Sequence, residues 1–447
     1  MRLKEARKRL PVVDALPKSR SRRYLPDEID GLDIPRPSLC VWELTLACDH
    51  SCLHCGPRAG IARPNELSTE EALNLVKELA ELGVGEVVLI GGEAYLRNDF
   101  ILIARAIRDA GMACTLTTGG LGLTATRAEA MIEAGIQSVN VSIDGLEETH
   151  DHVRNRKGSW KRAFEALANV KAAGGRICVN TQINRKSQHE LPQLLELLAE
   201  AGISAWQLQI TCAHGNAVDN ADIVLQPYHY LELFDVLEKA ATRTRELGII
   251  LWPGNNLGYF GPLEFHLRRE QKRASGHFTG CNAGRRTISI ESDGAIKNCP
   301  SLGGDVNTGG NVRDHSLKDL WSRAPELTYF RHRTVDELWG YCRECYYAEE
   351  CMGGCTAASE PLLGRPGNNP FCHHRAMEMD KQGLRERIEL VQGADSDLPF
   401  SAGLFRVVRE HADPALRAKH GVVSTDEPRV GRDVEPKGGG SLVVLDA

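Results

Sequence analysis

The chain has 447 residues, of which 42% are hydrophobic and 26% charged, so it can build two or three folded domains and is not disordered as a whole. Its 54 lysines and arginines against 60 aspartates and glutamates give a net charge of −6, which excludes a bulk electrostatic attraction to nucleic acid. The sequence has neither an uncharged apolar run of membrane-spanning length nor a signal peptide. We therefore expect a cytoplasmic protein with no membrane partner.

Along the chain, residues 1–37 mix basic residues with prolines and predict an extended N-terminal arm. Residues 38–250 alternate apolar strands with amphipathic helices. The predicted strands are 40–46, 86–90, 113–118, 138–143, 177–183 and 205–210. The predicted helices are 69–82, 96–110, 125–134, 160–173, 187–201 and 228–247. Six consecutive strand-helix units predict parallel strands with right-handed crossovers, in either a doubly wound sheet or an incomplete barrel.

The second half of the chain changes character. Residues 251–274 are predicted to be a linker, and 275–380 a small domain of short segments, many glycines and seven cysteines. Such a domain must draw its stability from metal rather than from a large core. Residues 381–447 are predicted to hold one helix and a mobile tail.

Fourteen cysteines are present, and a cytoplasmic chain keeps them reduced, so their spacing is tested against metal ligation. Ten of them fall into two groups. The first is Cys48, Cys52 and Cys55, and the second is Cys281, Cys299, Cys342, Cys345, Cys351, Cys355 and Cys372. The other four lie in or beside apolar segments, where a small buried hydrophobe is the expected role, and they receive no function: Cys40, Cys114, Cys178 and Cys212.

The first cysteine group has the spacing C-x3-C-x2-C and follows the first predicted strand directly. Three thiolates can hold three irons of a 4Fe-4S cubane and leave the fourth iron open to a small molecule. A zinc knuckle with His50 or His54 as its fourth ligand is the alternative. The position at the carboxyl end of a βα unit, where such folds place their chemistry, favours the iron-sulfur interpretation.

This triplet resembles the signature of the radical S-adenosylmethionine (SAM) enzymes. Gly91-Gly92-Glu93 after the second strand resembles the GGE element of that family, although Ala94 stands where proline is usual. The family's glycines allow close backbone approach, and its glutamate accepts from the SAM ammonium. The run from Ser142 and Asp144 to Arg154 is similar to the family's SxDG...HDxxR element. The resemblance implies SAM contacts at Gly91, Gly92, Glu93, Ser142, Asp144 and Arg154.

Two details of these elements stay open. Arg154 could pair with the SAM carboxylate or brace its own loop. Thr117 and Thr118 precede Gly119 and Gly120 at the end of the third strand, where they could form a capped glycine turn or contact a ligand.

The second cysteine group resembles the SPASM extension, the auxiliary-cluster domain of peptide-modifying radical SAM enzymes, at all seven of its cysteines. The resemblance implies a nearer auxiliary 4Fe-4S cluster on Cys281, Cys299 and Cys355, and a farther one on Cys342, Cys345, Cys351 and Cys372, so that the chain carries three clusters. A zinc ribbon on Cys342, Cys345, Cys351 and Cys355 is the alternative, but it leaves the other three cysteines unused.

The nearer cluster has only three cysteines, so either a non-cysteine ligand completes it or its fourth iron is open. Pro300 follows Cys299 where sulfatase-maturing members have an aspartate, which disfavours that subclass. Glu291 and Asp293 lie nearby and are expected to cap a hairpin turn.

Together the motifs predict an α/β fold, with an incomplete (β/α)6 radical SAM barrel followed by a SPASM domain. The expected activity generates a 5'-deoxyadenosyl radical to crosslink or otherwise functionalise C–H bonds of a ribosomally made precursor peptide. Residues 55–60 and 91–97 further resemble maturases whose short precursors end in a Gly-Asp-Leu type motif. No general base is identified from the sequence.

Two other functions compete with this one. A tetrapyrrole or small-cofactor modifier has the same cysteine layout, whereas a non-enzymatic iron-sulfur scaffold leaves the GGE and SxDG elements unexplained. The expected partners are a reducing flavodoxin or ferredoxin and the precursor peptide. Because the N-terminal arm is too short for a leader-recognition domain, we expect a separate leader-recognition protein or recognition by the barrel itself.

Overall fold

The structure is a computed structural model that describes residues 29, 34–258, 260–268 and 281–432. Most of the predicted arm, residues 259 and 269–274 of the predicted linker and the last fifteen residues of the predicted tail lie outside the described residues. In the described part of the chain, no helix is both long enough and apolar enough to cross a membrane.

The strands fall into a large sheet and a small one. The large sheet contains β1 Leu39–Glu43, β2 Glu86–Ile90, β3 Ala113–Thr118, β4 Ser138–Ser142, β5 Arg176–Ile183, β6 Ala205–Ile210, β7 Ile250–Pro253, β8 Thr287–Ile290, β9 Ala295–Lys297 and β10 Thr308–Asn311. The small sheet contains β11 Leu384–Gln392, β12 Leu404–His411 and β13 Val422–Asp426.

The helices lie mostly between the strands of the large sheet and in the cysteine-rich region. The first nine are α1 Thr69–Leu82, α2 Phe100–Asp109, α3 Ala125–Glu133, α4 Glu147–Val153, α5 Ser159–Ala172, α6 Leu191–Ala201, α7 Asn216–Asp219, α8 Tyr230–Glu246 and α9 Glu264–Arg268. The others are α10 Leu317–Arg323, α11 Pro325–His332, α12 Tyr341–Glu344, α13 Ala348–Cys351, α14 Thr356–Leu363, α15 His373–Lys381 and α16 Pro414–His420.

The order of strands in the large sheet decides between the two predicted architectures. The order is β10-β9-β8-β1-β2-β3-β4-β5-β6-β7, and β1 to β7 are all parallel to their neighbours. A doubly wound sheet reverses its strand order at a switch point, whereas here each strand lies next to the preceding one. The six predicted strands therefore form the wall of an incomplete barrel, as expected.

Local sequence explains why the barrel helices begin and end where they do. Helix α1 starts with a capping box, in which the Ser68 hydroxyl accepts from the Glu71 N–H and the Glu71 carboxylate accepts from the Ser68 N–H. It ends at Gly83, whose φ of +92° is a left-handed conformation that glycine adopts without strain. Its buried face includes Leu75 and Leu79, which pack into the core.

The cysteine-rich region extends the barrel sheet instead of forming a separate sheet. Strand β8 pairs in parallel with the free edge of β1, and β9 and β10 continue as an antiparallel hairpin. Arg313 beyond this hairpin forms an ion pair with Glu71 of α1, with 2.5 Å between Nε and Oε1. The two halves of the protein therefore share one sheet.

Two domain predictions need correction. Residues 251–274 do not form a simple linker, because β7 adds a seventh parallel strand and α9 follows it. Residues 381–447 do not form one helix and a tail, because 384–426 contain a three-stranded antiparallel sheet as well as α16. In strands β11 and β12, runs of charged residues interrupt the apolar pattern that would indicate a period of two. The fully buried Arg375 of α15 holds this sheet through Glu386, with 2.5 Å between Nε and Oε2.

Candidate active site

The first three cysteines lie on the loop between β1 and α1, at the carboxyl end of the barrel strands. Cys52 is buried, while Cys48 and Cys55 are partly exposed. The N–H groups of His50 and Ala59 donate to the sulfurs of Cys48 and Cys55 at 3.4 and 3.3 Å. Hydrogen bonds to sulfur are one of the means by which proteins tune iron-sulfur clusters. The loop therefore offers three soft donors that already accept such bonds.

Burial raises the pKa of each thiol in this group, that of Cys52 to about 12. The neighbouring Cys52 and Cys55 raise the pKa of Cys48 further, which shows that the three sulfurs lie close enough to repel one another as thiolates. Without a metal they are protonated at neutral pH, so metal binding must displace their protons. The triplet fits three irons of a cubane on these grounds.

The two histidines of the loop provide a test of the zinc-knuckle alternative. The ring of His54 has a neighbour at each nitrogen, the Val153 carbonyl and the Asp144 carboxylate, both at 3.3 Å. The His50 Nδ1 lies 2.9 Å from Asp49, and its Nε2 is buried without a hydrogen-bond partner. Ligand atoms of Cys48, Asp49 and His50 lie within 4.8 Å of one another, but this group does not include Cys52 or Cys55. A single tetrahedral zinc site on all three cysteines is therefore disfavoured.

Residues that the sequence did not single out hold the backbone of this loop. The Asn216 side chain of α7 donates to the Cys52 carbonyl at 2.9 Å, and its backbone N–H donates to the Cys55 carbonyl at 3.0 Å. Arg58 donates to the Asn216 side-chain oxygen at 2.7 Å. From the small sheet, the Phe400 N–H donates to the Gly56 carbonyl at 2.9 Å. No sequence signal marks these residues, since single asparagines and aromatics are common in loops.

The GGE element packs directly against the cysteine loop. The Gly92 N–H donates to the Thr45 carbonyl at 2.8 Å, and the Glu93 N–H donates to the Ala47 carbonyl at 2.7 Å. A Cβ at Gly91 would overlap the Thr45 carbonyl, and one at Gly92 would overlap the Ala47 carbonyl. The two glycines therefore permit close approach, and the partner is the protein's own backbone immediately before Cys48.

The Glu93 carboxylate is buried at the end of this turn. It accepts from the Thr118 hydroxyl and from the Gly119 N–H, each at 2.5 Å. Burial, with a further contribution from the negative charge of Asp49, raises the pKa of Glu93 to about 8. Both hydrogen-bond donors are neutral, so a cationic ligand would stabilise the ionised form. Thr118 also accepts from the Gly120 N–H at 2.9 Å, so the turn after β3 is a capped glycine turn that orients Glu93.

The SxDG element forms a buried ion pair. Asp144 is fully buried, with its Oδ2 atom 2.7 Å from Arg154 Nε and its Oδ1 accepting from the Gln182 N–H at 2.8 Å. Burial alone would raise the pKa of Asp144, but the charge of Arg154 and the hydrogen bond from His54 outweigh it and hold that pKa well below its usual range. Arg154 therefore braces the loop, and its Nη1 lies 3.9 Å from the Cys52 sulfur.

Ser142 is buried at the carboxyl end of β4, and we find no protein hydrogen-bond partner for its hydroxyl among the described residues. The assignment of Ser142 as a SAM contact stays a prediction. The same holds for Gly91, Gly92, Glu93, Asp144 and Arg154.

The seven cysteines of the second group divide into two neighbourhoods. Burial raises the pKa of Cys351 well above its usual value, and Cys372, Cys342 and Cys345 raise it further in that order. Burial also raises the pKa of Cys299 and of Cys355, and in both cases the nearby Cys281 adds to the effect. The structure thus separates a set of four thiols from a set of three. The zinc-ribbon alternative requires Cys355 beside Cys351, whereas the nearest thiols of Cys351 include Cys372 instead.

The two acids before Cys299 have structural partners. Asp293 accepts from the Ala295 N–H at 3.1 Å and so caps the hairpin turn at Gly294. Glu291 pairs with Lys297 at 2.8 Å and with Arg63 at 3.3 Å. A small cavity next to them lies at the junction of β1 with β8; the residues lining it are Val41, Glu43, Ile90, Ser289, Ile290, Glu291, Lys297 and Pro300.

Comparison with known proteins identifies the class of this site. Residues 42–198 match the radical SAM superfamily, and 281–346 match the iron-sulfur cluster-binding SPASM domain. The chain is 30% identical over 339 residues to the PqqA peptide cyclase of Methylocella silvestris, covering 74% of this chain and 86% of the relative. The chain therefore belongs to the radical SAM superfamily, and it carries a SPASM domain.

Two further proteins show the breadth of this similarity. The AdoMet-dependent heme synthase of Methanosarcina barkeri is 28% identical over 355 residues, covering 76% of this chain and 97% of the relative. The crystal structure of Streptococcus suis SuiB bound to precursor peptide SuiA matches with a TM-score of 0.58 at 18% identity, covering 75% of this chain and 76% of that one. The latter similarity supports the fold alone.

The first testable prediction concerns Gly92. In Gly92→Ala the new methyl group overlaps the Ala47 carbonyl, so the cysteine loop must move, at a cost of about 1–3 kcal/mol. We expect a lower melting temperature and loss of roughly a third of the reconstituted iron, corresponding to one of three cubanes. Gly60→Ala is the matched control, because a Cβ at Gly60 meets nothing within 4 Å. Equal iron in both variants would contradict a positioning role for Gly92.

A second prediction concerns Glu93. If it accepts from the SAM ammonium, Glu93→Gln should weaken SAM binding by about 1.5–3 kcal/mol without loss of iron. Since the pKa of Glu93 is about 8, its carboxyl group must lose a proton to bind SAM at lower pH. The affinity advantage of the wild type over Glu93→Gln should therefore shrink from pH 8.5 to pH 6.5. Equilibrium binding at both pH values measures this difference, since titration of SAM itself affects both proteins equally.

Proposed function

We propose that this radical SAM enzyme modifies a ribosomally made precursor peptide by oxidative crosslinking or another C–H functionalisation. The proposal is carried by the packing of the GGE turn against the cysteine loop, and its substrate class by the 30% identity to a PqqA peptide cyclase.

Ten cysteines would hold the three clusters, and Glu93 would contact SAM. Cys48, Cys52 and Cys55 would hold the first cluster, Cys281, Cys299 and Cys355 the nearer auxiliary cluster, and Cys342, Cys345, Cys351 and Cys372 the farther one. Glu93 would accept from the SAM ammonium, with Thr118 and Gly119 fixing its orientation. When bound, a reduced 4Fe-4S cluster with SAM supplies a 5'-deoxyadenosyl radical that can take hydrogen from unactivated carbon.

The protein's own contribution is to hold the target and keep water away. The cysteine loop is covered by Asn216 from one side and by Phe400 of the C-terminal region from another. A substrate C–H bond held close to the radical carbon reacts as a unimolecular partner, which favours transfer over quenching by solvent.

A peptide is the substrate class that sequence similarity favours. The chain is 30% identical over 339 residues to a PqqA peptide cyclase, covering 86% of that relative.

A tetrapyrrole substrate is the second candidate, and the 28% identity to an AdoMet-dependent heme synthase favours it. Under either proposal, a flavodoxin or ferredoxin would supply the electron that starts each turnover. A separate protein or the barrel itself would recognise the leader of a precursor peptide.

The cofactor assignment is tested by the Cys48→Ala, Cys52→Ala and Cys55→Ala triple variant. Anaerobic reconstitution of the wild type should give about twelve irons per chain, for three cubanes. The triple variant should lose about a third of that iron and all SAM cleavage, because the first cluster has no ligands left. Iron analysis and chromatography of 5'-deoxyadenosine measure both quantities. Full iron retention would place the first cluster elsewhere.

The substrate class is tested by isotope transfer. We expect deuterium from a fully deuterated candidate precursor peptide to appear in 5'-deoxyadenosine by mass spectrometry. A deuterated iron porphyrin with propionate side chains is the parallel substrate. Transfer from the porphyrin and none from the peptide would contradict the peptide proposal and support the second candidate.

A further inference from the structure

Cys212 lies two residues beyond the end of β6, in the barrel and outside both cysteine groups. Its side chain is buried, with 8% of the residue exposed. The Asn256 side-chain amide donates to its sulfur at 3.4 Å. That amide is fixed in place, because Asn256 also donates to the Ile210 carbonyl at 3.0 Å and accepts from the Ile210 N–H at 3.2 Å. Cys212 thus has the N–H donor to sulfur that several cluster cysteines of this chain have.

A first chain of contacts connects the surroundings of Cys212 to those of Cys299. The ring of His214, two residues after Cys212, lies 5.6 Å from the Phe400 ring. The Lys297 ammonium, two residues before Cys299, lies 4.0 Å from the centre of the same Phe400 ring. One aromatic side chain therefore bridges the segments that carry the two cysteines.

A second chain of contacts connects Cys212 to the SPASM domain from another direction. The Tyr230 hydroxyl donates to the Asn256 carbonyl at 3.4 Å, and its ring lies 5.9 Å from that of Phe371. Phe371 precedes the ligand candidate Cys372. Cys212 and Cys355 are buried members of one continuous apolar cluster, and Cys281 and Cys299 pack against it.

Electrostatics separates Cys212 from the other three cysteines without an assigned function. Cys212 lies close enough to Cys299 and to Cys355 to interact electrostatically with both. Among the described residues, no cysteine is a neighbour of this kind for Cys40, Cys114 or Cys178. Among the four, Cys212 is the one in the electrostatic range of ligand candidates.

We propose that Cys212 is the fourth thiolate ligand of the nearer auxiliary cluster, together with Cys281, Cys299 and Cys355. This inference rests on the cluster assignment of the proposed function. It means that the cluster has four cysteine ligands and no iron open to substrate. It also means that the barrel supplies one ligand and the SPASM domain three, so that cluster assembly locks the end of β6 against the SPASM domain.

The test uses the Cys48, Cys52 and Cys55 triple alanine variant as the parent, because it lacks the first cluster and its open iron. Reconstituted anaerobically, the parent should hold about eight irons in two auxiliary cubanes. After the clusters are reduced, ¹³C-cyanide is added. The hyperfine coupling between the ¹³C nucleus and the electron spins of the clusters is then measured. We expect no ¹³C coupling in the parent, because every iron has a thiolate ligand. Strong coupling in the parent would overturn the inference.

Cys212→Ala and Cys178→Ala are then made in that parent; the two cysteines are matched, since each residue is 8% exposed. We expect Cys212→Ala to bind cyanide, or to lose about one iron per chain and show the signal of a three-iron cluster. Cys178→Ala should behave as the parent does. Identical spectra for the parent and Cys212→Ala would show that Cys212 is not a ligand.

A third variant distinguishes the loss of a ligand from misfolding. Cys212→Ser offers an oxygen ligand, so it should retain the iron and the circular dichroism of the parent but shift the g values of one reduced cluster. A packing role for Cys212 would leave the g values unchanged. If the parent itself holds no auxiliary iron, the cluster assignment of the proposed function has failed. If the iron is present and Cys212→Ser and Cys212→Ala both match the parent, only the role of Cys212 has failed.

Discussion

The close backbone approach between the cysteine loop and the GGE turn is the contact on which the site depends. Two hydrogen bonds join the segments, from Gly92 and Glu93 to the carbonyls of Thr45 and Ala47, and no side chain fits between them. As a result, backbone hydrogen bonds between the two loops hold the Cys48 segment and the Glu93 carboxylate in a fixed arrangement. A reaction that needs a ligand bound at both ends benefits from this rigidity.

Two buried carboxylates near this contact have opposite electrostatic environments. Asp144 has the guanidinium of Arg154 at 2.7 Å, so it is ionised and serves to brace the loop. Glu93 has only neutral donors at hydrogen-bonding distance, and its pKa is raised to about 8. Asp144 thus already has a cationic partner within the protein, whereas Glu93 is the carboxylate that gains most from a cationic ligand.

The C-terminal region contributes to the site from a distance in sequence. The loop between β11 and β12 reaches the cysteine loop, where Phe400 donates to Gly56, and the Ser401 carbonyl accepts from the Gly215 N–H at 2.8 Å. The Phe400 ring also contacts both His214 and Lys297. A segment with no cysteine thus joins the barrel to the SPASM domain, and the buried ion pair of Arg375 with Glu386 anchors the sheet that carries this segment.

The sequence by itself determined the six strand-helix units and the chemical type of the donors at their carboxyl ends. The regular alternation of strands and helices from 38 to 250 placed all six strands close to their observed bounds, because hydrophobic period and glycine helix ends are local signals. Cysteine spacing likewise identified ten candidate ligands, since metal ligation restricts residue type and distance along the chain. The small C-terminal sheet was missed because its charged faces weakened the apolar pattern.

Only the tertiary structure decided which residues distant in sequence are in contact. Sequence pattern left open the choice between barrel and doubly wound sheet, which strand order resolved, and it did not reveal the ion pair of Arg154 with Asp144. Asn216 and Phe400 carried no signal, because their function depends only on the loop they contact. Cys212 looked like any small buried hydrophobe for the same reason. Its distinguishing property is its set of neighbours, and neighbours distant in sequence are brought together only by folding.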